Sequence, residues 1–182
     1  PGFDGEGLVV QGHQAWIASE GRRTPDRRAR LLRIDLRSGR QLEERALPDA
    51  WLERPGQGLR PNKGPESLTA FGAEGLMLAA EASLLQDGPG GGAALARVSL
   101  GQPIRSAGTL DPGQFGPHDG LTDLLALPER LQLLGLREPP NYHSVAATPT
   151  CPVFYAYGKR KPFPFHAPVT LRVRVRVRVG VR

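Results

Sequence analysis

Short apolar runs, separated by turns that contain glycine, recur along the first part of the chain. The runs at residues 8–10 and 15–19 flank a short connection that contains Gly12, and this spacing predicts a β-hairpin. Residues 31–36 and 41–47 lie on either side of turn-forming residues and predict two more strands. The first unit is therefore predicted to hold four antiparallel strands.

A second unit repeats this order. Its predicted strands occupy residues 68–71, 76–80, 94–100 and 104–110. Successive four-stranded units of about 45 residues are typical of β-propeller blades, although the same short strands also suit a β-sandwich. We favour the propeller, because a repeated unit of this kind cannot bury its apolar face alone. The expected fold is all-β: an incomplete β-propeller-like repeat of four-stranded blades.

A third unit begins at Asp119 but keeps the pattern for one strand only. Residues 121–127 suit its first strand, yet the residues directly after them lack the glycine turn of the other two units. We therefore expect a propeller fragment over residues 1–127, with about two blades and the start of a third. The remaining residues, 128–182, form an anomalous basic tail of low complexity.

The tail has a composition of its own. Arg and Val alternate over residues 172–179, which is a strand pattern and is also what a simple DNA repeat encodes. We expect the tail to be irregular or disordered, the product of a shifted reading frame or another low-complexity addition. The alternative is a cationic strand that binds an anionic membrane or nucleic acid.

The positive charge of the protein belongs to this tail. The whole chain carries +6, but residues 139–182 hold eight Lys and Arg and no Asp or Glu, which leaves 16 basic and 18 acidic side chains in residues 1–138. A nucleic-acid-binding domain would spread its basic residues over one folded face. We therefore expect no nucleic-acid partner for the domain.

Two further features bound the class of protein. A single cysteine, Cys151, excludes an internal disulfide framework, and no run approaches the roughly 18 apolar residues that a membrane span needs. We expect no integral membrane association. The compartment and the oligomeric state stay open, and a periplasmic or secreted location would follow from an upstream signal peptide.

Carboxylates recur at matching places in the units. Glu6 and Glu66 lie at the start of a first strand, and Glu20 and Glu81 follow the end of a second strand. In a propeller such positions converge on one mouth, where a hard cation such as Ca²⁺, which takes six to eight oxygen ligands, relieves the repulsion. The structural alternative is that these carboxylates accept backbone N–H bonds that hold one blade against the next.

The ordered motifs resemble the phytase-like family, also described as the esterase-like domain of phytase, over about residues 1–127. The motifs that carry the resemblance are Asp4-Gly5-Glu6-Gly7-Leu8, Ala18-Ser19-Glu20-Gly21, Leu32-Arg33-Ile34-Asp35-Leu36, Asn62-Lys63-Gly64-Pro65-Glu66-Ser67-Leu68, Glu81 and Gly120-Leu121-Thr122-Asp123. The resemblance implies a propeller that hydrolyses phosphoesters with its recurring Asp and Glu, on a small phosphorylated substrate.

Site residues follow from the resemblance and from the chemistry of the motifs. The expected metal ligands are Glu6, Glu20, Glu66 and Glu81. The expected catalytic residues are Glu66, Asp123 and Lys63, where the lysine supplies a point charge for a phosphate oxygen. The cofactor would be a divalent cation, with calcium as the candidate, which would polarise phosphorus for attack by water.

Two other functions remain open at this point. Propellers host many functions on one scaffold, so a non-catalytic binding module is one alternative, and an inactive truncated product is the other. Whether the chain is an enzyme is therefore undecided by its sequence. No Gly-x-Ser-x-Gly elbow occurs, so a serine-hydrolase mechanism lacks the context of its nucleophile.

Overall fold

The computed structural model describes residues 4–21, 28–73, 75–89, 91–110, 120–127 and 132–138. The predictions for the tail beyond Glu138, for Asp119 and for the Arg-Val alternation fall outside these residues. The part of the chain that the structure describes holds no helix of the length and apolarity that a membrane crossing requires.

The first sheet is a four-stranded antiparallel meander. It consists of β1 (Gly5–Gln11), β2 (Gln14–Ser19), β3 (Arg30–Asp35) and β4 (Gln41–Ala46), each paired with the next. The β1–β2 turn uses Gly12 at φ 59°, a left-handed conformation that glycine adopts without steric cost. Asp35 Oδ1 accepts hydrogen bonds from the backbone N–H groups of Arg37 and Ser38 and so shapes the β3–β4 turn.

The second sheet has the same topology. It consists of β5 (Pro65–Ala70), β6 (Gly75–Ala80), β7 (Ala93–Ser99) and β8 (Arg105–Leu110), again paired in order. Short 3-10 helices over Asp49–Trp51 and Leu85–Asp87 lie outside the strands. Four strands in each of the first two units are as the apolar pattern predicts.

A third, two-stranded sheet pairs β9 (Gly120–Leu127) with β10 (Gln132–Glu138). The regular fold therefore continues past Leu127, although no glycine turn marks the connection. Leu133 of β10 is buried against the second sheet, which shows what holds the added strand in place. Leu133 thus contributes to the core, whereas the expected start of the tail lay at residue 128.

Two apolar cores join the sheets. Trp16, Ala18 and Leu31 of the first sheet pack against Leu76 and Leu78 of the second. The opposite face of the second sheet packs against the third, through a cluster of Met77, Ala79, Ala93, Leu95, Leu110, Leu121, Leu124 and Leu133. Successive side chains of a strand point to opposite faces, so β6 must be apolar throughout to serve both cores.

The first strands of the three sheets lie side by side, with β5 between β1 and β9. At Gly7 the approach is so close that a Cβ atom would lie 2.7 Å from the backbone nitrogen of Leu68. Only glycine lets the two strands come this near. The architecture is all-β, as expected, and successive four-stranded sheets packed face to face are compatible with propeller blades. Closure of a propeller ring stays a prediction.

Candidate functional site

Strand pairing brings the start of each first strand beside the end of the following strand. Gly5 pairs with Ser19 in the first sheet, and Pro65 pairs with Ala80 in the second. The next residue in each of these four places is a glutamate: Glu6, Glu20, Glu66 and Glu81. Because β1 and β5 are adjacent, the four glutamates come together at one end of the two sheets.

Three carboxylates form the tightest group, which we call the acidic trio: Asp4, Glu6 and Glu20. One carboxylate oxygen from each residue lies within 4.8 Å of the other two. Asp4 and Glu6 are exposed, whereas Glu20 is half-buried. The pKa of Glu6 is raised from its ordinary value, first by partial burial and then by the negative charges of Asp4, Glu20 and Glu81.

The donor chemistry of the trio fits a hard divalent cation. Carboxylate oxygens are ligands that Ca²⁺ prefers, and a cation would cancel the repulsion that three such groups exert on one another. Asp4 and Glu6 are exposed, so a cation held by the trio would also be open to water.

Glu66 has a strongly perturbed environment. Burial raises the pKa of Glu66 to about 8, and the negative charges of Glu6, Glu81 and Glu20 act in the same direction. The positive charge of Lys63 opposes them only in part. Without a bound cation the Glu66 carboxyl group therefore holds a proton at neutral pH.

Lys63 and Glu81 form an ion pair between Nζ and Oε1. Glu81 also connects two sheets through its backbone, since its N–H donates to the Gly64 carbonyl and its own carbonyl accepts from the N–H of Leu121. Its side chain lies against Gly120, where a Cβ atom would collide with it. Glu81 is therefore held in place by both the second and the third sheet.

Glu20 accepts a backbone hydrogen bond, as the structural alternative for these carboxylates predicts. Its Oε1 accepts a hydrogen bond from the backbone N–H of Gly64 at 2.6 Å, which links the first sheet to the segment that leads into β5. One oxygen of this carboxylate thus holds two sheets together. The same residue belongs to the acidic trio, so structural and ligand roles coexist in it.

Asp123 lies apart from this arrangement in its contacts. It is exposed on β9, and its Oδ1 accepts the N–H of the next residue, Leu124, at 2.7 Å. It is not among the charges that act most strongly on Glu66 or Glu6. Its assignment as a catalytic residue stays a prediction, as do the roles of Lys63 and the four glutamates.

Asp4 is the site residue that the sequence interpretation did not select. Asp4 belongs to the first motif of the resemblance, which predicts no role for it. A spacing of two residues places Asp4 and Glu6 on one side of an extended chain, so an Asp-x-Glu pattern at the start of a strand was a usable signal. The signal is weak alone, because exposed acidic pairs are common.

Comparison with known proteins agrees with the ordered motifs. A family model described as Phytase-like, esterase-like activity of phytase, matches residues 1–137. Searches of curated proteins and of solved structures gave no match. The matched region includes all three sheets except the last residue of β10, and it contains every residue of the site. On this match, which spans most of its length, the chain belongs to the phytase-like family.

Proposed function

We propose that this chain is a phosphoester hydrolase that depends on a divalent cation, with calcium as the first candidate. The observation that carries the proposal is the meeting of the acidic trio with Glu66, whose carboxyl group keeps a proton at neutral pH. Membership of the phytase-like family supports the hydrolase class.

Asp4, Glu6 and Glu20 would hold the cation, because their oxygens are the closest set of anionic donors in the part of the chain that the structure describes. Glu81 adds a further negative charge beside the trio, and Glu66 lies next to it in its protonated form. Both belong to the ligand set predicted from the sequence. When bound, the cation supplies positive charge that holds phosphate oxygens and makes phosphorus more open to attack by water.

Glu66 is suited to act as a general acid. A carboxyl group that is still protonated near pH 7 can give its proton to the leaving alkoxide, and an acid with a pKa near the working pH is the most effective. Positive charge at the trio would offset the repulsion from Glu6 and Glu20 and lower the pKa of Glu66 from about 8 towards neutrality.

Lys63 would place its ammonium group near the transferred phosphate. Its pairing with Glu81 restricts the flexible side chain and orients the charge. A compact ammonium group is a common partner of phosphate oxygens. In this scheme Lys63 binds substrate and Glu66 moves the proton, while Asp123 keeps its predicted catalytic role without a defined step.

The test is hydrolysis of phenyl phosphate and diphenyl phosphate by the purified chain, because phenoxide is a basic leaving group that departs more readily with a proton. We expect activity with Ca²⁺, loss of activity with EDTA, and a decrease of roughly 10²- to 10⁴-fold in Glu66→Gln, the usual size of a general-acid contribution. Glu44→Gln is the matched control, because Glu44 lies on β4, at the opposite edge of the sheet from β1.

The alternatives have distinct results in the same experiment. Calcium binding without hydrolysis of either ester would favour a non-catalytic binding module, for which the sheet-linking contact of Glu20 already supplies a structural role. Hydrolysis that resists both EDTA and the Glu66 substitution would refute the proposed mechanism.

A further inference from the structure

A cavity of about 640 Å³ opens beside the acidic trio. Asp4, Glu20 and Gly64 form one side of it, so it is continuous with the site already described. The other walls come from the segments between β4 and β5, together with residues near the start of β3. Its volume is in the range of small-molecule sites in proteins.

The base of the cavity is apolar and preformed. Leu47, Trp51 and Leu59 line it, and all three are buried members of the core between the first two sheets. A backbone hydrogen bond from the N–H of Leu59 to the carbonyl of Trp51 connects the two segments. Leu52, which is only half-buried, adds an apolar edge that a ligand can reach.

Arg60 supplies a fixed positive charge in the same cavity. Its Nε donates to the carbonyl of Ser83 at 2.9 Å, and one terminal nitrogen donates to the carbonyl of Leu84 at 3.4 Å. Among the described residues no carboxylate pairs with Arg60, whereas the neighbouring Arg54 pairs with Asp49 at 2.6 Å. The guanidinium of Arg60 is thus held by neutral oxygens, and its charge remains available to an anion.

We propose that this cavity binds the alcohol part of the ester, and that the preferred substrates are phosphoesters of an apolar, ring-containing alcohol that carries an anionic group for Arg60. The inference rests on the proposed function. The side chains of Leu47, Leu52 and Leu59 offer a polyol such as glycerol or inositol no hydrogen-bond partner, so its hydroxyl groups would lose hydration over that part of the cavity. An aromatic carboxylate can pack its ring against the apolar base and pair its charge with the guanidinium of Arg60.

The first measurement needs no catalysis. Binding of 4-hydroxybenzoate, the alcohol product of such an ester, is compared with binding of phenol by calorimetry on the full chain. We expect the carboxylate to bind at least about tenfold more tightly, the size of a charge-assisted pair, and Arg60→Gln to remove that difference. Arg40→Gln, in the exposed β3–β4 turn, is the matched control and should keep it.

The second measurement uses hydrolysis. The ratio of kcat/KM for 4-carboxyphenyl phosphate to that for phenyl phosphate should exceed about 10 and fall roughly tenfold in Arg60→Gln, and glycerol phosphate should be the poorest of the three substrates. If Arg60→Gln fails to fold, Arg60→Lys is used instead and should keep part of the preference. Leu52→Trp, which narrows the cavity, should weaken binding of both phenol and 4-hydroxybenzoate.

The outcomes separate the two proposals. Tight binding of 4-hydroxybenzoate that depends on Arg60, without hydrolysis of any ester, would overturn the hydrolase and leave the subsite standing. Hydrolysis with equal use of charged and uncharged aryl esters, or with glycerol phosphate preferred, would overturn the subsite and leave the hydrolase standing. Equal binding of phenol and 4-hydroxybenzoate by the wild-type chain also overturns the subsite.

Discussion

The Glu20 carboxylate accepts the backbone N–H of Gly64 at 2.6 Å and so bridges the first two sheets. Glu20 follows the last residue of β2, and Gly64 precedes β5. A Cβ atom on residue 64 would lie 2.6 Å from Cγ of Glu20, so the contact depends on glycine at this position. The hydrogen bond therefore forms only when the two sheets are packed together, because the first sheet supplies the acceptor and the second supplies the donor.

We expect Glu20→Ala to lower the free energy of unfolding by about 1–3 kcal/mol, because it leaves the N–H of Gly64 without its acceptor. Glu20→Gln keeps an acceptor oxygen and should cost less. Urea unfolding measures both, with Glu44→Gln as the control on an outer strand. Equal stability of Glu20→Ala and the wild type would show that water replaces the carboxylate at no cost.

Stability should fall as the pH rises from about 5 to about 8. The unfolded chain has Glu66 at its ordinary pKa of 4.5, and burial raises the pKa of Glu66 in the folded chain to about 8. Between these values the folded state binds a proton that the unfolded state lacks, so each rise in pH favours unfolding. Glu66→Gln cannot titrate and should flatten this part of the profile, which thermal unfolding at a series of pH values would reveal.

Calcium binding should release protons near pH 7.5. Positive charge at the acidic trio would offset the repulsion that Glu6 and Glu20 exert on Glu66. The pKa of Glu66 would then fall, and part of its proton would pass to the buffer. Calorimetry in buffers of different ionisation enthalpy measures this release. Asp4→Asn should weaken binding, because a neutral amide cannot replace an anionic ligand, and binding without any proton release would count against the coupling of Glu66 to the trio.

Removal of the Lys63 charge should raise the pKa of Glu66 further above its ordinary value. The positive charge of Lys63 lowers the pKa of Glu66, so Lys63→Met should raise that pKa above the wild-type value. Lys63→Arg keeps the charge and serves as the control. Carbon-13 NMR of the glutamate carboxyl groups follows the titration directly, and a midpoint that does not move would contradict the assigned influence of Lys63.

Gly7→Ala should separate the first strands of the two sheets. The added Cβ would lie 2.7 Å from the backbone nitrogen of Leu68, and backbone atoms cannot move aside as a flexible side chain does. A loss of about 1–3 kcal/mol in the free energy of unfolding is the expected scale of such overpacking. Val10→Ala, at an exposed position on the same strand, should have little effect.

The four-stranded units could be predicted from the sequence because hairpins depend on local features. Period-two alternation and glycine turns set the pairing of neighbouring strands, and a shift of one residue would exchange the two faces of a strand. β10 was missed for the same reason, since its connection to β9 carries no glycine turn. The buried contact of Leu133 with the second sheet, which stabilises this strand, is not local.

Trp51 and Arg60 illustrate a similar limit. Trp51 lies near a proline-containing turn and gives no periodic signal, yet it is 1% exposed in the core between two sheets. Arg60 is one arginine among many in the sequence. Its guanidinium is held by the carbonyls of Ser83 and Leu84, more than twenty residues away.

The sequence by itself determined the all-β class, the strand order within each of the first two sheets and the recurrence of carboxylates at strand ends. Tertiary structure decided how far residues at equivalent places in the repeat differ in burial and in pKa. Leu8 and Leu68 hold the same position, yet Leu8 is 59% exposed and Leu68 is 4% exposed. Glu6 and Glu66 are likewise equivalent, yet Glu6 is exposed and Glu66 is half-buried, and burial raises the pKa of Glu66 to about 8. The physical reason is the position of the two strands. β5 lies between β1 and β9, whereas β1 packs against β5 alone among the described first strands. Burial and the number of nearby charges therefore depend on which sheets surround a residue.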